Sequence, residues 1–294
     1  MLDGDRCHLN HGPIDIVTEA HGDVAEVAAA HELAWRRFGA VLDELVGELA
    51  LLRQPVGAQC LLHGPIARRM WQACAPFRAG FITPMAAVAG AVAQELISCF
   101  HRSGIERAWI NNGGDIALHL APGHSVRVGL FADLAQFDVR DVRDARSLTM
   151  DGRFEIHATH PVRGIATSGW RGRSFSMGIA DSVTVLAATA AQADAAATVI
   201  ANAVNIDDPG IHRLPANECQ DDSDLGNRLV TRDVEALAPA QVRHALDAGV
   251  ACAETLQRAG LVWSAALVCQ GQWRMIEPQA APRMAVDAVV PVLA

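Results

Sequence analysis

Two stretches of this chain are built almost entirely from small side chains, and they limit the folds open to it more than any other feature. After Met85 the sequence runs Ala-Ala-Val-Ala-Gly-Ala-Val-Ala to Ala93, and from Ala191 to Val204 it is Ala, Val and Ile apart from Gln192, Asp194, Thr198 and Asn202. Helices of this kind can lie very close to a neighbour, and their apolar faces need a sheet to be buried against, so both are expected near the centre of the molecule. Thr83-Pro84 supplies a cap and an N1 proline for the first, which is predicted over Thr83 to Phe100. Gln94 and Glu95 interrupt its apolar run, which therefore falls short of the ~20 residues a bilayer span needs. No membrane segment is expected.

Around these two helices the periodicity switches between helix and strand. Ile14 to Thr18 reads as a short strand. Asp23 caps a long helix to about Leu52, with Val24, Val27, His31, Trp35, Phe38, Leu42, Leu45, Leu49 and Leu52 as its buried stripe. Pro65 opens a further helix to about Ala75. From Arg107 the period becomes that of strands: Trp109-Ile110, Ile116 to Leu120, Val126 to Phe131, Phe154 to His157, Gly164 to Thr167 and Ser182 to Ala187. Pro239 to Ala259 is a helix ended by Gly260, and Leu261 to Val268 with Gln272 to Ile276 reads as a closing hairpin. The polar stretches Asp133 to Asp151 and Asn205 to Glu235 are expected as surface excursions. Consecutive strands separated by tight turns imply a mixed α+β architecture with substantial antiparallel pairing.

Composition excludes several function classes. The chain has 294 residues, of which 51% are hydrophobic and 19% charged, enough apolar content for a sizeable core. A net charge of −9 leaves no basic field for a phosphate backbone, so nucleic acid is not an expected partner. The seven cysteines show no Cys-x-x-Cys pair, which argues against a disulfide scaffold or a structural zinc site. The acidic start Met-Leu-Asp-Gly-Asp lacks the basic, apolar character of a signal peptide, and a cytoplasmic location is expected.

Three segments carry candidate chemistry. Asn111-Asn112-Gly113-Gly114-Asp115 lies between two strands, where Asn-Gly alone would make a hairpin turn. Two amides, two glycines and a carboxylate exceed what a turn requires, and can present backbone N–H groups and polar side chains to a ligand. Ala166-Thr167-Ser168-Gly169-Trp170-Arg171 reads either as an exposed turn or as a phosphate-binding segment, with hydroxyls donating and Arg171 or Arg173 pairing bidentately. In Asp194 and Thr198 a spacing of four places a carboxylate and a hydroxyl on one helical face. Such hard oxygen ligands suit Mg²⁺; the bland alternative is a charge complementing the positive end of the helix.

The order of these segments, with Gly164-Ile-Ala-Thr-Ser-Gly169 and then Ser182-Val-Thr-Val185 leading into Ala193-Asp-Ala-Ala-Ala-Thr198, resembles the ApbE-like flavin transferase superfamily. There, a GGD turn, an A-T-S-G segment and an SVTV strand before an A-D-x-x-x-T helix follow one another at similar spacing. The resemblance implies an α+β fold with an internally duplicated mixed or antiparallel sheet and packed helices. It implies one domain over residues 1–294, divisible into two similar halves near 121–153. It also implies a cleft for FAD with Mg²⁺, and transfer of FMN to a Thr or Ser of a protein acceptor. Carried over by position, Asp194 and Thr198 are metal ligands with the backbone oxygen of Ala166 nearby. Asn112, Gly113, Gly114 and Asp115 line the nucleotide cleft, and Thr167 and Ser168 face its phosphates; Asn111, Gly169 and Arg171 join the candidate cofactor-binding residues on their own chemistry.

The chain departs from that pattern at two places. Ile82-Thr-Pro-Met-Ala-Ala-Val-Ala-Gly-Ala-Val-Ala-Gln94 stands where the family has D-L-G-G-I-A-K-G-Y-A-V-D, and Ser174 to Asp181 replaces an H-I-I-D-P-x-T-G stretch. With T-P-M-A-A-V-A-G at 83–90, the chain more closely resembles an uncharacterised cytoplasmic branch of the superfamily. A binding protein that keeps the cleft without the chemistry is therefore the alternative to a transferase. His157 and His160 are expected on opposite faces of a strand, His8 and His11 near an unordered terminus, and none of the four belongs to the predicted site.

Overall fold

The computed structural model describes residues 6–130 and 152–278. The chain starts with a hairpin of β1 (Arg6–His11) and β2 (Ile14–Gly22), followed by α1 (Val24–Gly47), α2 (Leu49–Leu52) and α3 (Pro65–Cys74). A 3-10 turn at Pro84–Ala87 leads into α4 (Val88–Ile97), and then come the hairpins β3 (Ile105–Asn112) with β4 (Asp115–Leu120) and β5 (Ser125–Leu130) with β6 (Gly152–His157). β7 (Gly164–Ser168), β8 (Ser182–Ala187) and α5 (Ala190–Ala203) precede a small unit of β9 (Ile211–Pro215), α6 (Ala216–Cys219) and β10 (Leu229–Val234). The chain continues through α7 (Pro239–Arg258) into the hairpin of β11 (Ser264–Cys269) and β12 (Gln272–Ile276).

Eight of these strands form one sheet in the order β1-β2-β3-β4-β7-β8-β11-β12, and every pairing in it is antiparallel. The first four strands precede residue 121 and the last four follow residue 163, so two consecutive lengths of chain meet edge to edge at β4 and β7. One face carries the helices. Ile16 and Ala20 of β2, Ala108 and Ile110 of β3 and Ala117 of β4 are buried with α1, α3 and α4, while Ala166, Val183, Val185, Ala265 and Leu267 are buried with α5 and α7. The opposite face buries Leu118, Leu120, Ile165 and Leu186 with Ile156.

The two small-residue helices are central, and two glycines explain how. A Cβ on Gly90 of α4 would sit 2.3 Å from the Ala190 carbonyl oxygen and 2.9 Å from the Asp194 Cβ. A Cβ on Gly164 of β7 would sit 2.1 Å from the Thr189 carbonyl carbon and 2.2 Å from the Ala190 nitrogen. The first residue of α5 is thus pinned between a helix and a strand at backbone contact distance, which only hydrogen at both positions permits.

Several expectations are corrected. The predicted helix over 83–100 is divided into the 3-10 turn, α4 and a second 3-10 turn at Ser98–Phe100. The Thr83 hydroxyl does not cap it but donates to Asp224 Oδ2 at 2.5 Å. Asp23 caps α1 as expected, accepting from Ala25 N–H and Glu26 N–H. The helix breaks at Glu48, whose carboxylate oxygens instead accept the N–H groups of His63 and Gly64 at 2.7 Å and so cap α3.

The buried stripe of α1 is rotated from the predicted one. Val27, Ala30, Ala34, Phe38, Val41 and Leu45 face the sheet, whereas Val24 is 83% and Trp35 57% exposed. Ala30 and Ala34 bring the helix close to the sheet, and the large Trp35 is left outside. Replacing Trp35 by Gln should accordingly shift the urea midpoint by no more than about 0.5 kcal/mol equivalent, where a core tryptophan would cost ~3 or more.

β1, which no hydrophobic period announces, pairs with β2 along its length and places His8 Nε2 2.5 Å from Asp15 Oδ1. His157 and His160 do not lie on opposite faces. His160 turns back beyond β6, its ring 5.1 Å from that of His157 and 5.1 Å from Trp263, and its Nδ1 accepts the His157 N–H. The predicted excursion over 133–151 lies outside the described residues, and that over 205–235 folds as the β9-α6-β10 unit. Among the described residues no helix is long and apolar enough to cross a membrane.

Candidate functional site

The β3–β4 connection is the two-residue turn that Asn-Gly signals, but its flanks do more than turn. Gly113 and Gly114 both have positive φ, of 66° and 111°, as a primed turn demands, and Asn111 Oδ1 accepts the Gly114 N–H at 2.8 Å. Asn112 and Asp115 are cross-strand partners and therefore share one face, the one that carries the helices. Asn112 Nδ2 donates to the Ala89 carbonyl at 3.1 Å, which fixes the turn to the start of α4. Asp115 is 8% exposed, and its Oδ1 accepts the Thr167 N–H of β7 at 3.2 Å.

Asp194 reaches the same place from α5. Its Oδ2 accepts the Gly90 N–H at 2.9 Å, and the Ala89 N–H also bonds to its carboxylate. It is not a helix-end charge turned to solvent. The residue is half-buried with its carboxylate directed inward, at the point where Gly90 brings α4 and α5 into contact. The chain from Ala89 to Gly90 therefore grips both sides of the site, holding Asn112 by a carbonyl and Asp194 by N–H groups.

The electrostatics follow from this convergence. Burial pushes the Asp115 carboxyl up to about 7, although the Thr167 N–H lowers it. Burial and then the charge of Asp115 push Asp194 well above the usual carboxylate range, with the Gly90 and Ala89 N–H groups working in the other direction. The Asp194 charge also adds to burial in raising the Cys74 thiol, whose Sγ donates to the Pro84 carbonyl at 4.0 Å. The chain contains no lysine, and among the described residues no arginine forms an ion pair with Asp115 or Asp194. Two carboxylates thus share a buried space without a protein cation.

The other predicted residues divide. Ala166 is fully buried on the helix-facing side of β7, and Ser168 follows it on that side by alternation. Thr167 points the other way. Its hydroxyl lies 2.9 Å from the Thr184 hydroxyl, its cross-strand partner, so only its backbone faces the acid pair. Gly169 packs against the Asp181 carbonyl, and Arg171 Nε lies 3.5 Å from Asp181 Oδ1 with its guanidinium 5.0 Å from the Trp170 ring centre. Thr198 is half-buried one turn beyond Asp194, and its hydroxyl makes no hydrogen bond among the described residues. The structure therefore brings Asn112, Asp115, Ala166, Ser168, Asp194 and Thr198 to the helix-facing side of the sheet and does not bring the Thr167 hydroxyl or Arg171 there. Ala89 and Gly90 are the site residues that sequence reasoning missed. Their small size was legible as packing, while their role as backbone donors to Asp194 depends on how α4 meets α5.

The eight-stranded antiparallel sheet, with central small-residue helices on one face, is an α+β fold of the ApbE-like kind. The flavin transferase ApbE from Vibrio cholerae shares the fold, with a TM-score of 0.50 at 12% identity, covering 93% of this chain and 97% of that one. The apo form of the Pseudomonas stutzeri flavinyl transferase ApbE matches with the same TM-score at 11% identity, covering 95% and 97%. At such identities the likeness is one of fold. The chain belongs to the family described as AbpE bacteria, whose model matches residues 1–275. Its relatives include UPF0280 proteins of Methanothrix thermoacetophila, 37% identical over 144 residues, and Methanosarcina barkeri, 33% identical over 196 residues. The first match covers 49% of this chain and 54% of that protein, the second 65% and 70%. The chain thus spans about half the length of the first of these curated relatives.

Proposed function

We propose that this protein handles a flavin nucleotide, with FAD bound through its phosphates to a divalent cation, Mg²⁺, at the Asp115–Asp194 site. The reaction that fits this reading is Mg²⁺-dependent transfer of FMN from FAD to an acceptor. The observation that carries it is the buried acid pair: burial raises the proton affinity of both carboxyls, the charge of Asp115 raises that of Asp194 further, and among the described residues no basic side chain pairs with either. A hard divalent ion with phosphate oxygens is the partner such a donor set fits.

Asp194, Asp115 and Thr198 would hold the ion, with the Ala166 carbonyl as a further oxygen on the same side of the sheet. Bound there, the ion would supply positive charge to the pyrophosphate at the bond being broken. The chain's own part is orientation. The Ala89 and Gly90 N–H groups fix the Asp194 carboxylate, the Thr167 N–H fixes that of Asp115, and Asn112 ties the glycine turn to α4. Asn111, Gly113 and Gly114 would present the turn to the nucleotide, with Ser168 beside its phosphates. The reading treats residues 1–294 as one domain of two similar halves meeting near 121–153, and leaves either a protein hydroxyl or a small molecule as acceptor.

A second reading, a nucleotide- or cofactor-binding protein without transfer chemistry, is favoured by one feature: Ile82 to Gln94 offers neither a lysine nor a tyrosine to a bound ligand. Calorimetric titration with FAD, with and without Mg²⁺, tests the binding common to both. Affinity should need the metal, and Asp194→Asn should weaken it by about tenfold or more, because a charge and a hard ligand are lost together. Asp207→Asn is the control, since Asp207 is exposed, and should leave binding unchanged. Metal-independent binding by the parent, or equal binding by the two variants, would overturn the reading. Release of AMP on incubation with candidate acceptors then separates transferase from binder.

A further inference from the structure

The β9-α6-β10 unit belongs neither to the large sheet nor to the acid site, and its two ends are held in different ways. Its root is fixed largely by backbone bonds: Glu235 N–H to the Gly210 carbonyl at 2.9 Å and Thr231 N–H to the Ser176 carbonyl at 2.8 Å, with Asn205 Nδ2 on the Met177 carbonyl. Its tip, the turn between α6 and β10, is held to the other half of the molecule by side chains. Asp224 accepts from the Thr83 hydroxyl, the Arg228 guanidinium lies 3.5 Å from the centre of the Phe81 ring, and Asp222 is 4.0 Å from Arg53.

These two anchorages flank one face of α5. Asp194, Thr198 and Asn202 are spaced at i, i+4 and i+8 and so lie along a single line. At one end Asp194 is bonded to Gly90, in the segment that begins at Phe81 and Thr83. At the other, Asn202 Oδ1 accepts the Met177 N–H at 2.9 Å and lies 3.1 Å from the Ser176 hydroxyl, in the segment to which Thr231 is bonded. The unit thus joins the walls at the two ends of this line, and Thr198 lies between them. Thr231 itself is 2% exposed, and among the described residues its hydroxyl has no hydrogen-bond partner. An unsatisfied buried hydroxyl on the bridging strand is a cost that a different arrangement of the unit, or a ligand beneath it, would relieve.

We propose that residues 216–228 form a gate over the Asp194–Thr198–Asn202 face, hinged where they leave the paired strands β9 and β10 and released at the Asp224–Thr83 and Arg228–Phe81 contacts. The asymmetry of the attachments carries the inference. Polar side-chain contacts at the tip exchange with water locally, whereas the backbone bonds of the root keep the unit in place while the tip swings. What the gate admits rests on the reading of this face as the nucleotide site, but the gate itself can be tested without a nucleotide.

The test is the alkylation rate of a Thr198→Cys variant by iodoacetamide, read by mass spectrometry on the peptide containing position 198. Adding Thr83→Val and Arg228→Ala should speed labelling roughly tenfold and accelerate amide exchange at 221–228, with exchange in α5 unchanged as evidence of an intact fold. Unchanged labelling with a freed tip would overturn the gate, and so would a tip whose exchange does not respond to the two substitutions. An FAD and Mg²⁺ titration of the protein with native Thr198 separates the two ideas. Faster labelling without flavin binding would retain the gate and overturn the nucleotide reading; flavin binding with unchanged labelling would do the reverse.

Discussion

Gly90→Leu is expected to lower the folding stability by more than about 3 kcal/mol. The first side-chain carbon would already stand 2.3 Å from the Ala190 carbonyl oxygen and 2.7 Å from its carbon, and backbone cannot swing aside as a flexible side chain can. Overpacking in a core typically costs ~1–3 kcal/mol when neighbours can adjust. Here Ala190 is also fixed from below by Gly164, so the helices must separate, and the Gly90 N–H then leaves the Asp194 carboxylate uncovered. A loss above about 3 kcal/mol is expected, against typical domain stabilities of ~5–15 kcal/mol. Gly90→Ala should lie between Leu and the parent. Chemical denaturation followed by circular dichroism reads both, and a parental midpoint for Gly90→Leu would mean that α4 and α5 do not touch there.

The acid pair should make the metal-free protein lose stability as pH rises toward neutrality. Asp115 has a folded pKa of about 7 against the ordinary 3.8, so between these values the folded state binds a proton that the unfolded chain does not. Stability from this group is therefore complete below the unfolded pKa and is lost as pH rises through the folded one, the opposite of a salt-bridged carboxylate. In EDTA, Asp115→Asn should gain at least about 1 kcal/mol relative to the parent between pH 5 and pH 8, since a tenfold difference in proton affinity between the folded and unfolded states corresponds to ~1.4 kcal/mol. This window avoids a group of opposite sign: Glu95 is raised by burial, but the hydrogen bonds and charges of Arg37 and Arg69 outweigh that and hold it below the usual range. Urea midpoints at the two pH values decide the matter, and parallel profiles for parent and variant would overturn the assignment of strain to the pair. Mg²⁺ at pH 8 should restore the parent and leave Asp194→Asn unchanged.

Much of the architecture was legible in the residues because it rests on local rules. Alternation placed β4, β8 and the closing hairpin, Asn-Gly placed the β3–β4 turn, and Asp23, Pro65 and Pro239 marked where helices begin. The spacing of Asp194 and Thr198, and the order of the three segments, located the candidate site to within one side of the sheet. α1 was legible as a helix but not in its orientation, because the stripe through Trp35 and the stripe through Ala34 differ by one residue, and the choice depends on how close the sheet can come.

What the tertiary structure alone decided lies in contacts between residues far apart in the chain. No period or motif says that Ala89 and Gly90 grip Asp194 more than a hundred residues away, that the Thr167 hydroxyl turns from the acid pair to Thr184, or that Thr83 holds Asp224 instead of capping its own helix. Local propensity acts through neighbours within a few residues, so it can announce an element and the face it offers. The pairing of two carboxylates in a buried space depends on which backbones meet at hydrogen-bonding distance, and that is set by the packing of whole helices on the sheet.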